Sequence, residues 1–372
     1  MPLEKDLIIK TCLALVAAFA ISFAATPIVK SFAHKVGAMD NPGEMRRIHD
    51  RPIPRLGGLA IFLGFLLSVV LFAEIDRQVR GVLTGAVLIV IVGVLDDIIS
   101  VNAWVKIVFQ TAAAIIAAVN GVAVEIIMNP NIFSANNYLH LGMFSVPLTV
   151  IWIVAITNSV NLIDGLDGLA CGVSAISSVT MLVIAAVVST GNVVVIPAAL
   201  AGACIGFIPY NFNPAKIFMG DTGALLLGYV LATLSVMGLF KFYAVITFAV
   251  PFLVLAVPLV DTVFAFFRRL FKGRNPLKPD RGHFHHRLID MGLSQKQAVA
   301  ILYSVSAILG VAAVILATGE ELKALFFVAA VCVAAAVTAF ILREMKAHEH
   351  TVEPEKTDDV PAIGEKNDYE DD

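Results

Sequence analysis

The chain has 372 residues, of which 59% are hydrophobic and only 15% are charged, and its mean hydropathy is +0.88. Soluble domains carry roughly 45–50% apolar and about 25% charged residues, so this composition excludes a soluble globular domain and indicates a polytopic membrane protein. The net charge of −3 says little by itself, because the distribution of the charges matters more. No nucleic-acid partner is expected. The four cysteines lie in apolar runs without ligand spacing, which argues against a disulfide framework or a zinc site.

Eleven apolar runs are long enough to cross a bilayer, which takes about 20 mostly apolar residues. The predicted spans are 7–29, 56–73, 79–95, 104–120, 146–163, 168–189, 193–211, 222–240, 243–266, 298–317 and 322–342. We therefore predict an all-α membrane protein of about eleven transmembrane helices, in a single domain over residues 1–342. The acidic tail, residues 343–372, has few apolar residues and is predicted to be disordered.

Lys and Arg side chains set the predicted orientation. With the N-terminus outside, the inner segments hold 20 of the 26 Lys and Arg residues. Because cytoplasmic loops of membrane proteins are enriched in these residues, we predict an outer N-terminus and a cytoplasmic C-terminus. One outer segment, residues 121–145, has neither Lys nor Arg, and Val124–Met128 and Tyr138–Val146 are predicted to form a short hairpin around Asn129-Pro130-Asn131.

The most polar point of the apolar region is the stretch from Asn158 to Ala170. It places two amides, Asn158 and Asn161, and two carboxylates, Asp164 and Asp167, between two predicted spans. Charge at the edge of a bilayer is costly unless it is paired, hydrated or bound to a ligand, so such acids indicate function. The alternative is an ordinary polar turn between two helices.

A pair of adjacent acids, Asp96 and Asp97, ends another apolar run. Neighbouring carboxylates repel unless a cation or protons share them, which suits either a divalent cation or general-base chemistry. The alternative is a solvated helix end, although acids at a helix C-terminus oppose the helix dipole. Lys106, at the start of the next span, either binds an anion or extends toward lipid headgroups.

Two further polar stretches follow. Asp221 lies between glycines in Lys216–Ala224, where it either caps a helix or holds magnesium, which takes only one or two protein carboxylates plus phosphate oxygens. Three histidines lie in Asp280–Arg287, the most basic loop, whose pattern lacks zinc-ligand spacing and better suits a cationic cradle for a diphosphate. The first inner loop is also basic, with Arg46, Arg47, His49, Arg51 and Arg55. Topology alone explains much of this charge, and attraction to anionic lipid headgroups or to a lipid phosphate is an additional interpretation.

All of these polar clusters fall on the cytoplasmic side in the predicted topology. Scattered polar residues would not share one side, so we predict one active site at the cytoplasmic face, built from several loops.

With these motifs, residues 10–342 resemble the polyprenyl-phosphate N-acetylhexosamine-1-phosphate transferase family. The resemblance rests on Val94–Asp97, Asn161–Gly168, Phe218–Gly223 and His283–Arg287, which occur in the family's order. The form of the histidine motif resembles the branch that uses UDP-GlcNAc, whereas the phospho-MurNAc-pentapeptide enzymes carry three contiguous histidines at this point.

The resemblance implies a magnesium-dependent transfer of GlcNAc-1-phosphate from UDP-GlcNAc to a polyprenyl phosphate such as undecaprenyl phosphate, with release of UMP, in the cytoplasmic membrane. It implies Asp221 and Asn161 as magnesium ligands, with Mn²⁺ as a substitute, and a homodimer is compatible with it. The implied catalytic residues are Asp96, Asp97, Asp164 and His285. The implied substrate-binding residues are Lys106, Asn161, Asp167, Phe218, Arg281, His283, His286 and Arg287.

Three alternatives are weighed against this hypothesis. Another UDP-sugar, including the UDP-MurNAc-pentapeptide, would use the same chemistry. An ion-coupled transporter also needs intramembrane acids, but its sites lie near the bilayer midplane, often within inverted repeats that this sequence lacks. A non-catalytic membrane scaffold would need no clustered Asp, Asn and His.

Overall fold

The computed structural model describes residues 4–40, 52–128, 138–188, 192–239, 249–271 and 283–318, with residues 332–334, 337 and 341 in addition. Within these ranges the chain is almost entirely helical. The helices are α1 (Lys5–Val36), α2 (Gly58–Phe72), α3 (Arg77–Ile99), α4 (Ala103–Val119), α5 (Ser145–Ile163), α6 (Leu169–Val188), α7 (Asn192–Asn211), α8 (Gly220–Leu234), α9 (Ala249–Val254), α10 (Ala256–Phe271), α11 (Phe284–Asp290) and α12 (Gln295–Thr318).

Seven helices in the described ranges are long and apolar enough to cross a membrane, and two shorter apolar helices, Gly58–Phe72 and Ala103–Val119, accompany them. These nine elements coincide with nine of the predicted spans. Large apolar side chains remain exposed along the outer helices, for example Ile28 and Val16 on α1. Apolar surface of this kind is stable against lipid, and the protein is a multi-pass membrane protein.

Of the two remaining predicted spans, the structure divides one into two helices, and the other lies almost entirely outside the described residues. The structure interrupts the span predicted at 243–266: α9 ends at Val254, α10 begins at Ala256, and α10 continues to Phe271. Pro258 in the first turn of α10 suits a new helix start, since proline lacks the N–H that a continuous helix needs. The span predicted at 322–342 and the tail from 343 lie almost entirely outside the described residues.

Two short antiparallel pairings accompany the helices. Strand β1 (Met39–Asp40) pairs with β2 (Ile53–Pro54), and β3 (Ile126–Met128) pairs with β4 (Tyr138–His140). The second pair confirms the predicted hairpin in a shorter form, while its turn, Asn129-Pro130-Asn131, lies outside the described residues.

Helix α8 lies at the centre of the bundle. Every residue from Thr222 to Leu234 is buried. Its partners come close through glycine, because a Cβ on Gly228 would lie 2.6 Å from Cα of Thr157 on α5. The same device joins α1 to α7, where Gly202 meets the Leu15 carbonyl. Small residues let backbones approach in membranes, where lipid gives helices no hydrophobic drive to associate. Close packing therefore holds the N-terminus of α8 in one place.

Candidate active site

A cleft of about 970 Å³ opens where α8 begins and α1, α5 and α7 end. Five carboxylates line it, and all of them except Asp40 were singled out in the sequence: Asp40, Asp97, Asp164, Asp167 and Asp221. Asn161 and Phe218 line it as well, so six of the residues singled out in the sequence meet at one cavity. Basic side chains line it too: Lys30, His34, Arg55 and Lys216.

Asp97 caps the first turn of α8. Its Oδ1 accepts the Asp221 backbone N–H at 2.9 Å, and its Oδ2 accepts the Thr222 backbone N–H at 3.1 Å and the Thr222 hydroxyl at 2.6 Å. The first N–H groups of a helix have no partner within the helix, and an acid there also complements the dipole. Gly220 has a φ of +70°, and a Cβ there would collide with the Asp97 carboxylate. Asp97 thereby fixes the position of Asp221.

Lys106 joins two acids that are far apart in sequence. Its ammonium donates to Asp221 Oδ2 at 2.7 Å and to Asp96 Oδ2 at 3.0 Å. Asn161 Nδ2 donates to the other oxygen of Asp221 at 3.1 Å. The second oxygen of Asp96 accepts the Val101 backbone N–H at 2.6 Å. Asp221 is thus held from α4 and α5 together.

Below Lys106 and Asn161, a pair of amides connects α4 to α5. Asn158 Nδ2 donates to Gln110 Oε1 at 2.6 Å and to the Val154 carbonyl at 2.8 Å. Gln110 lies one turn after Lys106 and is buried. Buried amides need hydrogen-bond partners. This pair fixes α4 to α5, the two helices that carry Lys106 and Asn161, the hydrogen-bond donors to Asp221.

Asp164 is the acid of the cleft whose side chain makes no hydrogen bond within the described residues. Burial, together with the carboxylates of Asp221, Asp97 and Asp167, raises its pKa to about 8. A carboxyl with this environment holds its proton at neutral pH until a cation offsets the repulsion. The neighbouring carboxylates therefore create a negative environment at Asp164, which a bound cation would offset.

Asp167 organises the loop after α7. Its Oδ2 accepts Asn213 Nδ2 at 3.0 Å and the Ala215 backbone N–H at 2.9 Å. Asn213 also donates to Gln295 at the start of α12. The nearby Gly168, with a φ of +79°, has its carbonyl held by the Tyr303 hydroxyl at 2.6 Å. Helix α12 therefore supports the turn that carries Asp164 and Asp167.

The histidine segment lies behind this turn and not on the wall of the cleft. Asp261 of α10 caps α11: its Oδ1 accepts the Phe284 N–H at 2.7 Å, and its Oδ2 lies 2.8 Å from His283 Nδ1. Both Asp261 and His283 are buried. The His285 ring packs over Gly165, where any Cβ would collide with Nε2.

His285 is uncharged in this setting. Burial, and to a smaller extent the charge of the adjacent His286, lowers the pKa of His285 to about 3. Its buried Nε2 has no hydrogen-bond partner, so the imidazole can offer a neutral donor or acceptor beside Asp164. The sequence interpretation placed charge neutralisation on this residue, and the environment instead favours hydrogen bonding.

The other members of the basic loop divide between described and undescribed residues. The Arg287 guanidinium lies 5.1 Å from the centre of the Phe264 ring, a cation–π distance. His286 contacts the His285 ring, with centroids 4.3 Å apart. Arg281 lies outside the described residues, as do Arg46, Arg47, His49 and Arg51 of the first loop.

Several residues at the site were missed in the sequence. Asp261 lies inside an apolar run, and its signal is a lone acid at membrane depth. Thr222 and Asn213 belong to the quoted motif or its flank but carry no charge. Lys30 was assigned to topology alone, because the predicted first span ended at residue 29 while α1 continues to Val36.

The acids fit a divalent cation that phosphate oxygens help to hold. Among the described residues no three His, Cys, Asp or Glu side chains form a ready-made metal cage. Magnesium does not need one, since it keeps waters and takes one or two carboxylates plus substrate phosphates. The residues suited to it are Asp221 and Asn161, whose amide oxygen is left over, with the unpartnered Asp164 beside them.

Comparisons with known proteins show the family of this chain. Residues 79–239 match the family described as Glycosyl transferase family 4. The chain is 40% identical over 306 residues to a probable undecaprenyl-phosphate N-acetylglucosaminyl 1-phosphate transferase of Bacillus subtilis, covering 82% of this chain and 84% of that protein. It is 35% identical over 314 residues to a decaprenyl-phosphate N-acetylglucosaminephosphotransferase of Mycolicibacterium smegmatis, covering 76% of each.

A third relative, from Thermotoga maritima, is an undecaprenyl-phosphate alpha-N-acetylglucosaminyl 1-phosphate transferase. It is 34% identical over 266 residues, covering 72% of this chain and 78% of that protein. The matched family region carries the acid pair, the Asn161–Gly168 turn and Asp221, the same residues that converge on the cleft. This chain is a member of glycosyl transferase family 4.

Proposed function

We propose that this protein transfers GlcNAc-1-phosphate from UDP-GlcNAc to a membrane polyprenyl phosphate. The products are UMP and a polyprenyl-diphospho-GlcNAc, and the reaction is the first membrane step of a cell-envelope polysaccharide. The single observation that carries the proposal is the convergence of Asp97, Asn161, Asp164 and Asp221 on one cleft, in a chain 40% identical to a relative with that name.

The chemistry is an exchange of phosphoanhydride partners. An oxygen of the lipid phosphate attacks the β-phosphorus of the nucleotide sugar, and the bond from that phosphorus to the bridging oxygen breaks, with UMP as the leaving group. Catalysis of phosphoryl transfer consists mainly of positioning and charge neutralisation. Mg²⁺, or Mn²⁺ in its place, would neutralise the diphosphate, held by Asp221 and Asn161.

The chain's own residues hold the substrates. The Lys106 ammonium, already between Asp96 and Asp221, would also neutralise phosphate oxygens. Asp164, Asp167 and Phe218 line the cleft where the nucleotide and sugar would lie. His285 would add a neutral hydrogen bond beside Asp164, and Arg281, His286 and Arg287 would add positive charge from the adjoining loop.

A general base is not required. Both Asp97 oxygens are occupied by the first turn of α8, and both Asp96 oxygens accept hydrogen bonds. A phosphate monoester with a second pKa of about 6 is largely ionised at neutral pH. These contacts support orientation and electrostatics as the role of the acid pair, and a covalent phospho-aspartyl intermediate is not needed.

The topology belongs to the same proposal. The apolar runs of the sequence support eleven spans. The distribution of Lys and Arg supports an outer N-terminus, a cytoplasmic C-terminus and a cleft that opens to the cytoplasm. That side is where a nucleotide sugar is available.

The test is reconstitution. Purified protein in detergent with UDP-GlcNAc, Mg²⁺ and polyprenyl phosphate is expected to release UMP and form a lipid-linked sugar that mass spectrometry identifies. A panel of UDP-sugars, including the UDP-MurNAc-pentapeptide, then decides the specificity. Equal turnover with the pentapeptide donor, or no turnover with any donor, would contradict the proposal. EDTA is expected to abolish turnover and Mn²⁺ to restore it.

A further inference from the structure

Four basic side chains line the cleft together with Asp40, and we name these four the basic wall: Lys30, His34, Arg55 and Lys216. It comes from three separate parts of the chain. Lys30 and His34 lie four residues apart on α1, so they share one face of that helix. Arg55 follows β2, and Lys216 precedes the segment that leads into α8.

Backbone hydrogen bonds fix these parts to one another. The Phe218 N–H donates to the Pro54 carbonyl at 2.8 Å, and the Gly57 N–H donates to the Phe218 carbonyl at 2.9 Å. The Arg55 N–H donates to the Ala38 carbonyl at 3.0 Å, just beyond the end of α1. The basic wall is therefore attached to the same segment that carries Asp221, and its distance from the acids is set by the fold.

Among the described residues, one acid of the cleft, Asp40, contacts the basic wall. Within the described residues, Lys30, His34 and Lys216 make no ion pair or side-chain hydrogen bond. Arg55 has one long contact, from Nη1 to Asp40 Oδ1 at 3.4 Å, and its buried Nε has no hydrogen-bond partner. A guanidinium presents five donors in a planar fork that suits phosphate oxygens. Positive charge at the end of α1 also complements the helix dipole, but this explains neither Arg55 nor Lys216.

We propose that the basic wall is a second phosphate-binding subsite, separate from the metal and Lys106 side of the cleft, with Arg55 and Lys30 as its main ligands. The inference rests on the proposed function for its occupant, which is a phosphate group of one of the two substrates, either the nucleotide donor or the lipid acceptor. Two separate sets of basic side chains, Lys106 and the basic wall, would let the two reacting phosphates be held separately before they meet.

The first arm of the test needs no turnover. Inorganic pyrophosphate is titrated into the full-length protein in detergent with EDTA present, and the thermal shift gives an apparent Kd. Arg55→Met and Lys30→Met are each expected to weaken binding about tenfold, the usual loss for one charge-assisted hydrogen bond. Lys35→Met is the matched control: Lys35 is exposed on the same end of α1 and lies off the cleft.

Arg55→Lys is expected to recover part of the affinity, because it restores the charge without the fork. Lys216→Met, a change at an exposed side chain, provides a variant that leaves the packed core untouched. The proposal is overturned if the Arg55, Lys30 and Lys216 variants all bind pyrophosphate within twofold of the Lys35→Met control.

The second arm identifies the occupant by steady-state kinetics. A raised KM for UDP-GlcNAc alone assigns the subsite to the nucleotide diphosphate, and a raised KM for polyprenyl phosphate alone assigns it to the acceptor. If neither KM changes by more than twofold, the subsite does not serve a substrate and the proposal fails. Wild-type protein that binds pyrophosphate but forms no lipid-linked sugar would contradict the proposed function and leave the anion subsite standing.

Discussion

The two sides of the cleft are built differently. On the acidic side most charged groups have partners: Lys106 joins Asp96 to Asp221, and Asp97 caps α8. On the basic side, within the described residues, Arg55 has one long contact and Lys30 none. A satisfied network is rigid and holds its shape without ligand, whereas unpaired cations gain most when an anion arrives. This difference is what we expect if the acidic side is the proposed reaction centre and the basic wall is the proposed anion subsite.

The largest effect is expected on the acidic side. Asp221→Asn keeps the shape of the side chain but removes the charge that Lys106 and the proposed cation share. We expect turnover to fall at least about a hundredfold, the loss typical of removing one electrostatic group from an active site. UMP release measures it. Asp76→Asn is the control, because Asp76 lies at the start of α3, at the end away from Asp96 and Asp97. This variant is expected to keep nearly full turnover. Comparable turnover in the two variants would contradict the proposed role of Asp221 in holding the cation.

Lys106→Met tests whether the paired cation matters more than the unpaired ones. Truncating one partner of a buried, hydrogen-bonded charge pair costs about 2–5 kcal/mol, because the remaining acids lose their compensation. We expect kcat to fall by about a hundredfold and by more than in Lys30→Met. If Lys30→Met lowered kcat more than Lys106→Met, the division between a reaction centre and a binding wall would be wrong.

A stability measurement sharpens the preorganised side of the comparison. Thr222→Val removes the hydroxyl that donates to Asp97 at 2.6 Å while keeping the volume. A hydrogen bond to a charged group contributes about 1.5–3 kcal/mol, so a lower Tm is expected in detergent. Thr11→Val, which removes a half-buried hydroxyl that bonds only the preceding turn of α1, is expected to leave Tm nearly unchanged.

The smallest expected effect is a pH dependence at Asp164. Its pKa is raised to about 8 in the folded protein from an ordinary value near 4. Between these two pKa values the folded state binds this proton and the unfolded state does not. The contribution of Asp164 to the free energy of unfolding is therefore most favourable below about pH 4 and declines as pH rises toward 8. In EDTA, Asp164→Asn is expected to raise Tm relative to wild type much more at pH 8 than at pH 5, because most of the decline lies between these two pH values. A Tm difference that is independent of pH would contradict the assignment.

Much of the site was predictable because each motif carried charge where charge is costly. Asp96, Asp97, Asn161, Asp164 and Asp221 all follow or precede apolar runs, so their convergence could be expected before the fold was described. The hairpin of β3 and β4 was also predictable, since two short candidate strands flank Asn129-Pro130-Asn131.

What could not be predicted depended on contacts between distant helices. The sequence does not show that both Asp97 oxygens accept hydrogen bonds from the first turn of α8. It also does not show that Asp261, alone in an apolar run, hydrogen-bonds His283. Lys30 resembled an ordinary inner-loop cation because residue 29 was taken as the end of the first span. The break at Leu255 was missed because hydropathy is continuous there, although Pro258 follows three residues later.

The central claim is that the sugar moves together with the β-phosphate. UDP-GlcNAc labelled with ³²P at the β-position, and separately at the α-position, tests it in one extraction. We predict that the β-label enters the lipid phase as a diphospho-sugar while the α-label stays in water as UMP, with Mg²⁺ present. An α-label in the lipid, or a lipid-linked sugar that carries neither label, would contradict the account.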